Sequence, residues 1–212
     1  NKFLARTIFK NAFQIVAVSD EIEKKIREIY GYKSVLTIYN MLEFEKIDKA
    51  AMQEAPFHFS YILAAGRMTL DNNKQFDKLI EMYASSSLPQ KNIRLVFLGD
   101  GPQKSYLKQL SEQKELQHLS LFEGFQENPF VYMKHALFTT LTSVNEGLPN
   151  ILTESLACGT AVISFDCKSG PSEIIINREN GLLIEDQNFD AFLNGMDELV
   201  NDANLLNYLK SN

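Results

Sequence analysis

Two glutamates, Glu146 and Glu154, stand eight positions apart within NEGLPNILTESLACGTAVISFDCKSGPSEII, residues 145–175, with Gly147-Leu148-Pro149-Asn150 between them. Pro149 suits the first position of a helix, where a missing N–H costs nothing, and Gly159 is a natural stop for it. The start of such a helix carries unpaired N–H groups and the positive end of the dipole, so it attracts anions. Ionised carboxylates only accept hydrogen bonds, which suits them to vicinal diols. Acids around an anion site therefore point to a ligand with both a phosphate and many hydroxyls, and a nucleotide sugar has that chemistry. Spaced carboxylates also serve glycoside hydrolysis. A neutral glycoside, however, has nothing to place at a positive helix start.

Three further groups could meet such a ligand. Gly66 and Arg67 directly follow an apolar run, and Lys74 comes a few residues later. Arg presents a planar fork to two phosphate oxygens and Lys a point charge, so together they could hold a diphosphate. The plain alternative is a surface Arg and a solvated Lys. Gly99-Asp100-Gly101-Pro102 would let a ligand approach the backbone. It is not the dinucleotide fingerprint, because Lys104 stands where the last glycine belongs, and a simple tight turn explains it equally. Glu123-Gly124-Phe125 offers backbone contact to a base edge through Gly124 and a stacking ring in Phe125. Inward-packed phenylalanines would account for that run too. His58, His118 and His135 are scattered without ligand or triad spacing. Cys158 and Cys167 have no metal-type spacing and read as buried, reduced thiols.

These residues need a scaffold, and short apolar runs alternating with helical patterns supply one. FQIVAVS (13–19) reads as a buried strand, followed by a helix capped by Ser19 or Asp20 and ended at Gly31. SVLTIYN (34–40) is a second strand, and residues 41–56 form a polar linker with one helical stretch. The alternation then restarts with a strand at 59–66. Phe76, Leu79, Ile80 and Tyr83 share one helical face. Strands follow at 93–101, 119–125, 137–143 and 160–166. Pro102, Asn128-Pro129 and Pro171 open helices, and Asn180-Gly181 turns into LLIED. Residues 188–200 make the last helix expected. Six βα units after residue 57 form one Rossmann-like, doubly wound parallel sheet, in which ligands bind at the strands' carboxyl ends.

The 212 residues carry 27 acids and 21 bases, a net charge of −6 that argues against nucleic acid as a partner. An anionic ligand must be held by local features. No apolar run approaches the length of a membrane span, and no signal peptide opens the chain. The opening NKFLARTIFK lacks an initiator Met and reads as a fragment or processed form.

Together the motifs resemble the retaining glycosyltransferases of the GT-B fold, specifically glycosyltransferase family 4, the glycosyl transferases group 1 domain. GRM…NKQFDKLIEMY is similar to that family's GR…K…LI motif, and LVFLGDGPQKSYL to its VGDGP segment. FEGFQENPFVYMKHA is similar to its loop over the base. NEGLPNILTESLACGTAVISFDCKSGPSEII matches its E-x7-E signature through the trailing GPSEI. VAVSDEIEKKI and LTIYNML resemble the segment closing the first of two Rossmann-like domains.

The resemblance implies the C-terminal half of a GT-B fold, with residues 1–45 a remnant of the acceptor domain and the start of the linker. Residues 46–212 are then the donor-binding domain. It implies that Arg67 and Lys74 bind the diphosphate, that Glu146 holds the transferred sugar, and that Glu154 takes the ribose. Gly147, Leu148, Pro149 and Asn150 line the phosphates, and Gly66, Gly99, Gly101, Gly124 and Phe125 complete the donor site. Arg67 and Lys74 are seven apart, about two more than the family usually shows, so Lys78 is a reserve for the diphosphate lysine. The implied reaction needs no cofactor and no metal. It is transfer with retention from a UDP-sugar, with a GDP-sugar less favoured, onto a surface polysaccharide, lipopolysaccharide or other glycolipid. The acceptor would sit on an N-terminal domain, and the enzyme would be cytoplasmic, with peripheral association at the inner face of the membrane left open. The fragment alone would bind nucleotide and transfer little. An epimerase, phosphorylase or synthase of the same fold, or a non-catalytic nucleotide-binding module, remains the alternative.

Overall fold

The computed structural model describes Phe9 and residues 11–212; the rest of the opening run NKFLARTIFK lies outside the described residues. β1 (Ile15–Ala17) and β2 (Val35–Thr37) pair in parallel as a small separate sheet. Between them α1 (Asp20–Lys25) continues into a wider turn over Ile26–Tyr30. Ser19 caps it by accepting from the Ile22 N–H, and Gly31 ends it in the left-handed region at φ 73. The expected buried strand is a correction. Ala17 is buried, but Phe13 and Val16 are 95% and 53% exposed. A two-stranded sheet packed on one side by α1 covers only one face.

The main sheet has six parallel strands: β3 (Tyr61–Ala65), β4 (Arg94–Leu98), β5 (Ser120–Gly124), β6 (Phe138–Leu141), β7 (Ala161–Phe165) and β8 (Gly181–Ile184). They lie in the order β5-β4-β3-β6-β7-β8, so the chain reverses its direction of travel between β3 and β6. The helices are α2 (Phe44–Ala51), α3 (Phe76–Ser85), α4 (Lys104–Gln113), α5 (Phe130–His135), α6 (Asn150–Ala157), α7 (Pro171–Ile174), α8 (Phe189–Asn201) and α9 (Ala203–Ser211).

Strand side chains alternate between two cores. Ile62, Ala64, Leu95 and Phe97 point into the layer formed with α3, α4, α8 and α9. Tyr61, Leu63, Val96 and Leu98 point into the layer formed with α2, α5 and α6. Both faces are buried, which is why these strands are near-continuous apolar runs in the sequence. The face expected of α3 holds: Phe76, Leu79, Ile80 and Tyr83 are all buried.

Four local expectations change. α4 begins at Lys104, after a turn, rather than at Pro102. Asn128 does not cap α5; its amide donates to the Ala50 carbonyl and to Gln53, tying the linker helix α2 to the sheet. Gly181 lies inside β8 rather than in the preceding turn, and a Cβ there would sit 2.7 Å from the Val162 carbonyl oxygen. It is a close-packing glycine. Finally, α9 follows the helix expected to be last. Asp202 accepts from the N–H groups of Asn204 and Leu205, and Leu206 and Leu209 are buried one turn apart.

Candidate functional site

The reversal between β3 and β6 opens a crevice at the strands' carboxyl ends, where ligands bind in sheets of this class. Two shallow grooves meet there, of about 390 and 350 Å³, sharing Ala65, Gly66 and Pro129. The first holds Arg67, Gly99, Asp100, Phe125 and Gln126. The second holds Lys74, Glu146, Leu148, Pro149, Asn150 and Glu154. The acidic motif and the basic pair, far apart in sequence, therefore share one surface.

Glycines build its floor. A Cβ on Gly66 would lie 2.8 Å from Lys74 Cε, so the missing side chain makes room for the lysine stem. A Cβ on Gly99 would lie 2.1 Å from the Gly66 carbonyl oxygen, and one on Gly101 would lie 2.4 Å from that of Met68. The turns after β3 and β4 are thus pressed backbone to backbone, and the Met68 N–H donates to the Asp100 carbonyl. Gly101 serves this contact and lines neither groove. Gly124 ends β5 with φ 75, and its carbonyl accepts from the Gly99 N–H. Phe125, next to it, is 78% exposed, so its ring faces solvent at the groove instead of packing inward. Lys104, in place of a third glycine, pairs with Asp100 at 2.9 Å and holds that carboxyl below its usual range.

Lys74 donates to Glu146 Oε1 at 2.6 Å, with both side chains largely buried. The lysine's backbone is fastened as well: its carbonyl accepts from the Thr142 hydroxyl, and next to it Asn73 bonds Val144 N–H and the Asn145 carbonyl. Lys78 instead pairs with Glu81 on its own helix and lines neither groove. Arg67 is exposed and makes no hydrogen bond or ion pair with a described residue. An exposed guanidinium with no bonded partner among the described residues is open to an incoming anion.

Pro149 sits at the cap of α6, one position before that expected, and no side chain caps the helix. Among the described residues, the N–H groups of Leu148, Asn150 and Ile151 have no acceptor, and all three residues line the groove. Glu154 lies one turn into α6. Its side chain receives no hydrogen bond from a described group, and burial raises its pKa. Gly147 lies beneath α1, where a Cβ would meet Val18 and Ile22 at 3.5 and 3.6 Å.

The three histidines line neither groove. Cys158 and Cys167 are free and buried, and burial pushes their thiols up to about 11 and about 12. No group of three or more His, Cys, Asp or Glu converges among the described residues, and no helix among them is long and apolar enough to cross a membrane. Sequence reasoning missed Asn73 and Thr142. Their role lies in pairing two loops distant in sequence, which no local spacing signals.

An all-parallel, doubly wound sheet with a ligand-sized crevice at its reversal point defines a Rossmann-like α/β domain. The chain belongs to the Glycosyl transferases group 1 family, whose profile matches residues 54–212. It is 33% identical over 207 residues to a Campylobacter jejuni protein, N-acetylgalactosamine-N,N'-diacetylbacillosaminyl-diphospho-undecaprenol 4-alpha-N-acetylgalactosaminyltransferase, covering 97% of this chain and 55% of that one. It is 26% identical over 196 residues to the poly(ribitol-phosphate) alpha-N-acetylglucosaminyltransferase of Staphylococcus aureus, covering 92% and 39%. The solved structure of Anabaena Alr3699/HepE in complex with UDP and glucose shares the fold at a TM-score of 0.85 and 20% identity, covering all of this chain and 60% of that one. This α/β sheet is thus that of GT-B glycosyltransferase structures. The chain spans about half the length of the curated relatives it matches.

Proposed function

We propose that the chain is the donor-binding half of a family 4 glycosyltransferase. The whole protein would transfer a hexose-type sugar, with retention, from a nucleotide sugar to a glycan or lipid-linked acceptor. In this reading residues 46–212 bind the donor, and residues 1–45 belong to the acceptor domain and linker. One observation carries it. Lys74, Glu146, Glu154 and the unpaired amides of Leu148, Asn150 and Ile151 share one groove, with Arg67 and Phe125 in the adjoining one. That arrangement matches a ligand with a planar base, a diol, a diphosphate and a sugar in sequence. UDP is the preferred nucleotide, and the complexes of Anabaena Alr3699/HepE with UDP and glucose support that choice by analogy of fold.

The base stacks on Phe125 against the glycine turn at Gly124. Glu154 receives the ribose hydroxyls, whose donors satisfy a carboxylate that no described group bonds. The diphosphate settles on the α6 amides, with Gly66 and Gly99 letting it approach the backbone. Arg67 closes on it from the exposed side. Lys74 has three N–H donors, so it can keep Glu146 and still reach a phosphate oxygen. Glu146 turns its second oxygen to the sugar hydroxyls. As the glycosidic bond breaks, the preorganised positive groups stabilise the departing diphosphate, commonly the largest single contribution in such transfers. No metal and no cofactor is needed. The lipid-linked acceptor named for the Campylobacter jejuni relative favours a cytoplasmic protein working at the inner membrane face, on lipopolysaccharide or polysaccharide precursors. The chain alone would bind donor and transfer little, because the acceptor side of the cleft is needed for turnover.

The test is calorimetric titration of the folded chain with UDP, GDP and their sugars. Binding below millimolar concentration, stronger for UDP-sugars, is expected. No binding by a folded sample at millimolar ligand overturns the proposal.

A further inference from the structure

The trailing motif Gly170-Pro171-Ser172-Glu173 finds no part in the donor reading above, yet its Glu173 bonds the small β1–β2 unit to the main-sheet domain. Glu173 Oε2 accepts from the Asp20 N–H at 2.8 Å and from the Tyr39 hydroxyl at 3.1 Å, and Oε1 accepts from the Glu21 N–H at 3.1 Å. The contact is reciprocated. Glu21 Oε2 accepts from the Ser169 N–H at 2.7 Å, while Lys25 bonds both Glu21 and the Ser169 hydroxyl. Each unit thus lends a carboxylate to the other's unpaired backbone donors. Ser169 is buried and left-handed at φ 66, a conformation a non-glycine residue holds only when its surroundings impose it.

The segment so fixed is the one that supports the groove. The Glu146 N–H donates to the Lys168 carbonyl at 3.1 Å. A Cβ on Gly170 would lie 2.5 Å from Pro149 Cδ and 3.0 Å from the Gly147 carbonyl oxygen. On the other side Gly147 is roofed by Val18 and Ile22, which flank the helix start that Glu173 caps. The backbone of residues 146–149 is therefore held between segment 168–170 and the start of α1.

We propose that Glu173 is a positioning residue: by locking the start of α1 onto segment 168–173, it holds the backbone of Glu146 and Gly147 in place at the groove. The docking of the N-terminal unit then sets the geometry of the sugar end of the site, with no contact between that unit and the ligand required. The base end, at Gly124 and Phe125, lies outside this connection. Its consequence for ligand rests on the donor reading, but the mechanical linkage does not, and the two are measured separately.

Amide hydrogen exchange on the whole chain reads the linkage without ligand. Charge-assisted bonds of this kind are worth enough that Glu173→Gln should speed exchange at the Glu146 amide, which donates to the Lys168 carbonyl, by about tenfold, while core strand β4 stays protected. Glu21→Gln should act in the same direction. Tyr39→Phe, which removes one of the three bonds, should give a smaller change and serves if Glu173→Gln fails to fold. Unchanged exchange at the Glu146 amide in variants that fold overturns the proposal. Titration then reads the consequence: Glu173→Gln should weaken a UDP-sugar several-fold more than UDP, and equal weakening of both overturns the positional claim. A wild-type chain that binds neither would remove the donor reading, while the exchange result still decides the linkage.

Discussion

Removing one partner from the Lys74–Glu146 pair should cost far more than the exposed position of the loop suggests. The two heads are 2.6 Å apart, and their side chains keep only 21% and 14% of their exposure. Breaking a fully buried pair by deleting one partner costs about 3–5 kcal/mol, and an exposed pair is worth about 0–1 kcal/mol. The remaining exposure places Glu146→Gln and Lys74→Met between these limits, each at about 2 kcal/mol. The double variant should cost less than the sum, because it leaves no orphaned charge, giving a coupling of about 1–1.5 kcal/mol. Lys78–Glu81 supplies the internal control. It is a 2.9 Å pair three residues apart on one helix, with 42% and 43% exposure, and its coupling should stay below about 0.5 kcal/mol. Urea unfolding followed by far-ultraviolet circular dichroism is the assay, since the chain has no Trp to report by fluorescence. A Lys74–Glu146 coupling no larger than the control refutes the reasoning. It would mean that the lysine is solvated in the free protein and that its place beside Glu146 needs another cause.

Three further outcomes follow from the same geometry. Arg67→Ala should weaken UDP by about tenfold or more and uridine hardly at all, since a guanidinium–phosphate contact is lost; equal losses in titration would remove Arg67 from the diphosphate. Gly99→Ala should lower stability by about 3 kcal/mol or prevent folding, because its Cβ would fall 2.1 Å from a carbonyl oxygen at φ 120; an unchanged melting temperature would contradict the backbone contact. Glu154→Gln should melt above wild type at neutral pH without ligand. Burial raises the Glu154 pKa, so ionising it costs stability as pH rises through that raised value. The advantage of the variant should vanish as pH falls back toward the ordinary carboxylate value of 4.5, and a gap independent of pH counts against it.

The sheet could be read from the chain because parallel strands buried on both faces leave uninterrupted apolar runs, as at Tyr61–Ala65 and Ala161–Phe165. The groove could be read because its parts follow strands directly: Gly66 and Arg67 after β3, Glu146 and Pro149 after β6. What escaped was whatever depends on partners remote in sequence. The exposure of Val16 depends on what covers a two-stranded sheet. The roles of Asn73 and Thr142 depend on the meeting of two loops. Asn128, a good cap by type, is drawn away by the carbonyl of Ala50. α9 is a different case. Its cap at Asp202 and the helical spacing of Leu206 and Leu209 are local signals that the sequence carries.

The separation of Lys74 from Arg67 shows how tertiary structure absorbs a departure from a motif. The extra residues between them do not push the lysine out of the groove. They make a tight turn instead, in which Thr69 donates to Asp71 and Asn72 adopts a left-handed φ of 53, and Gln75, just past the lysine, is left-handed too at φ 48. Asn73 then bonds the loop after β6, and Thr142 bonds the Lys74 carbonyl. Left-handed backbone at two non-glycine residues costs of order 1–3 kcal/mol each, and it persists only where neighbours impose it. Asn72 donates to Asp77 and Gln75 to Gln187, and the bonds from Asn73 and to the Lys74 carbonyl fasten the turn between them to residues 142–145. The spacing is therefore read correctly only in three dimensions. The place of the lysine in the groove is set by what its backbone pairs with, and Lys78, farther still from Arg67 in sequence, faces Glu81 instead.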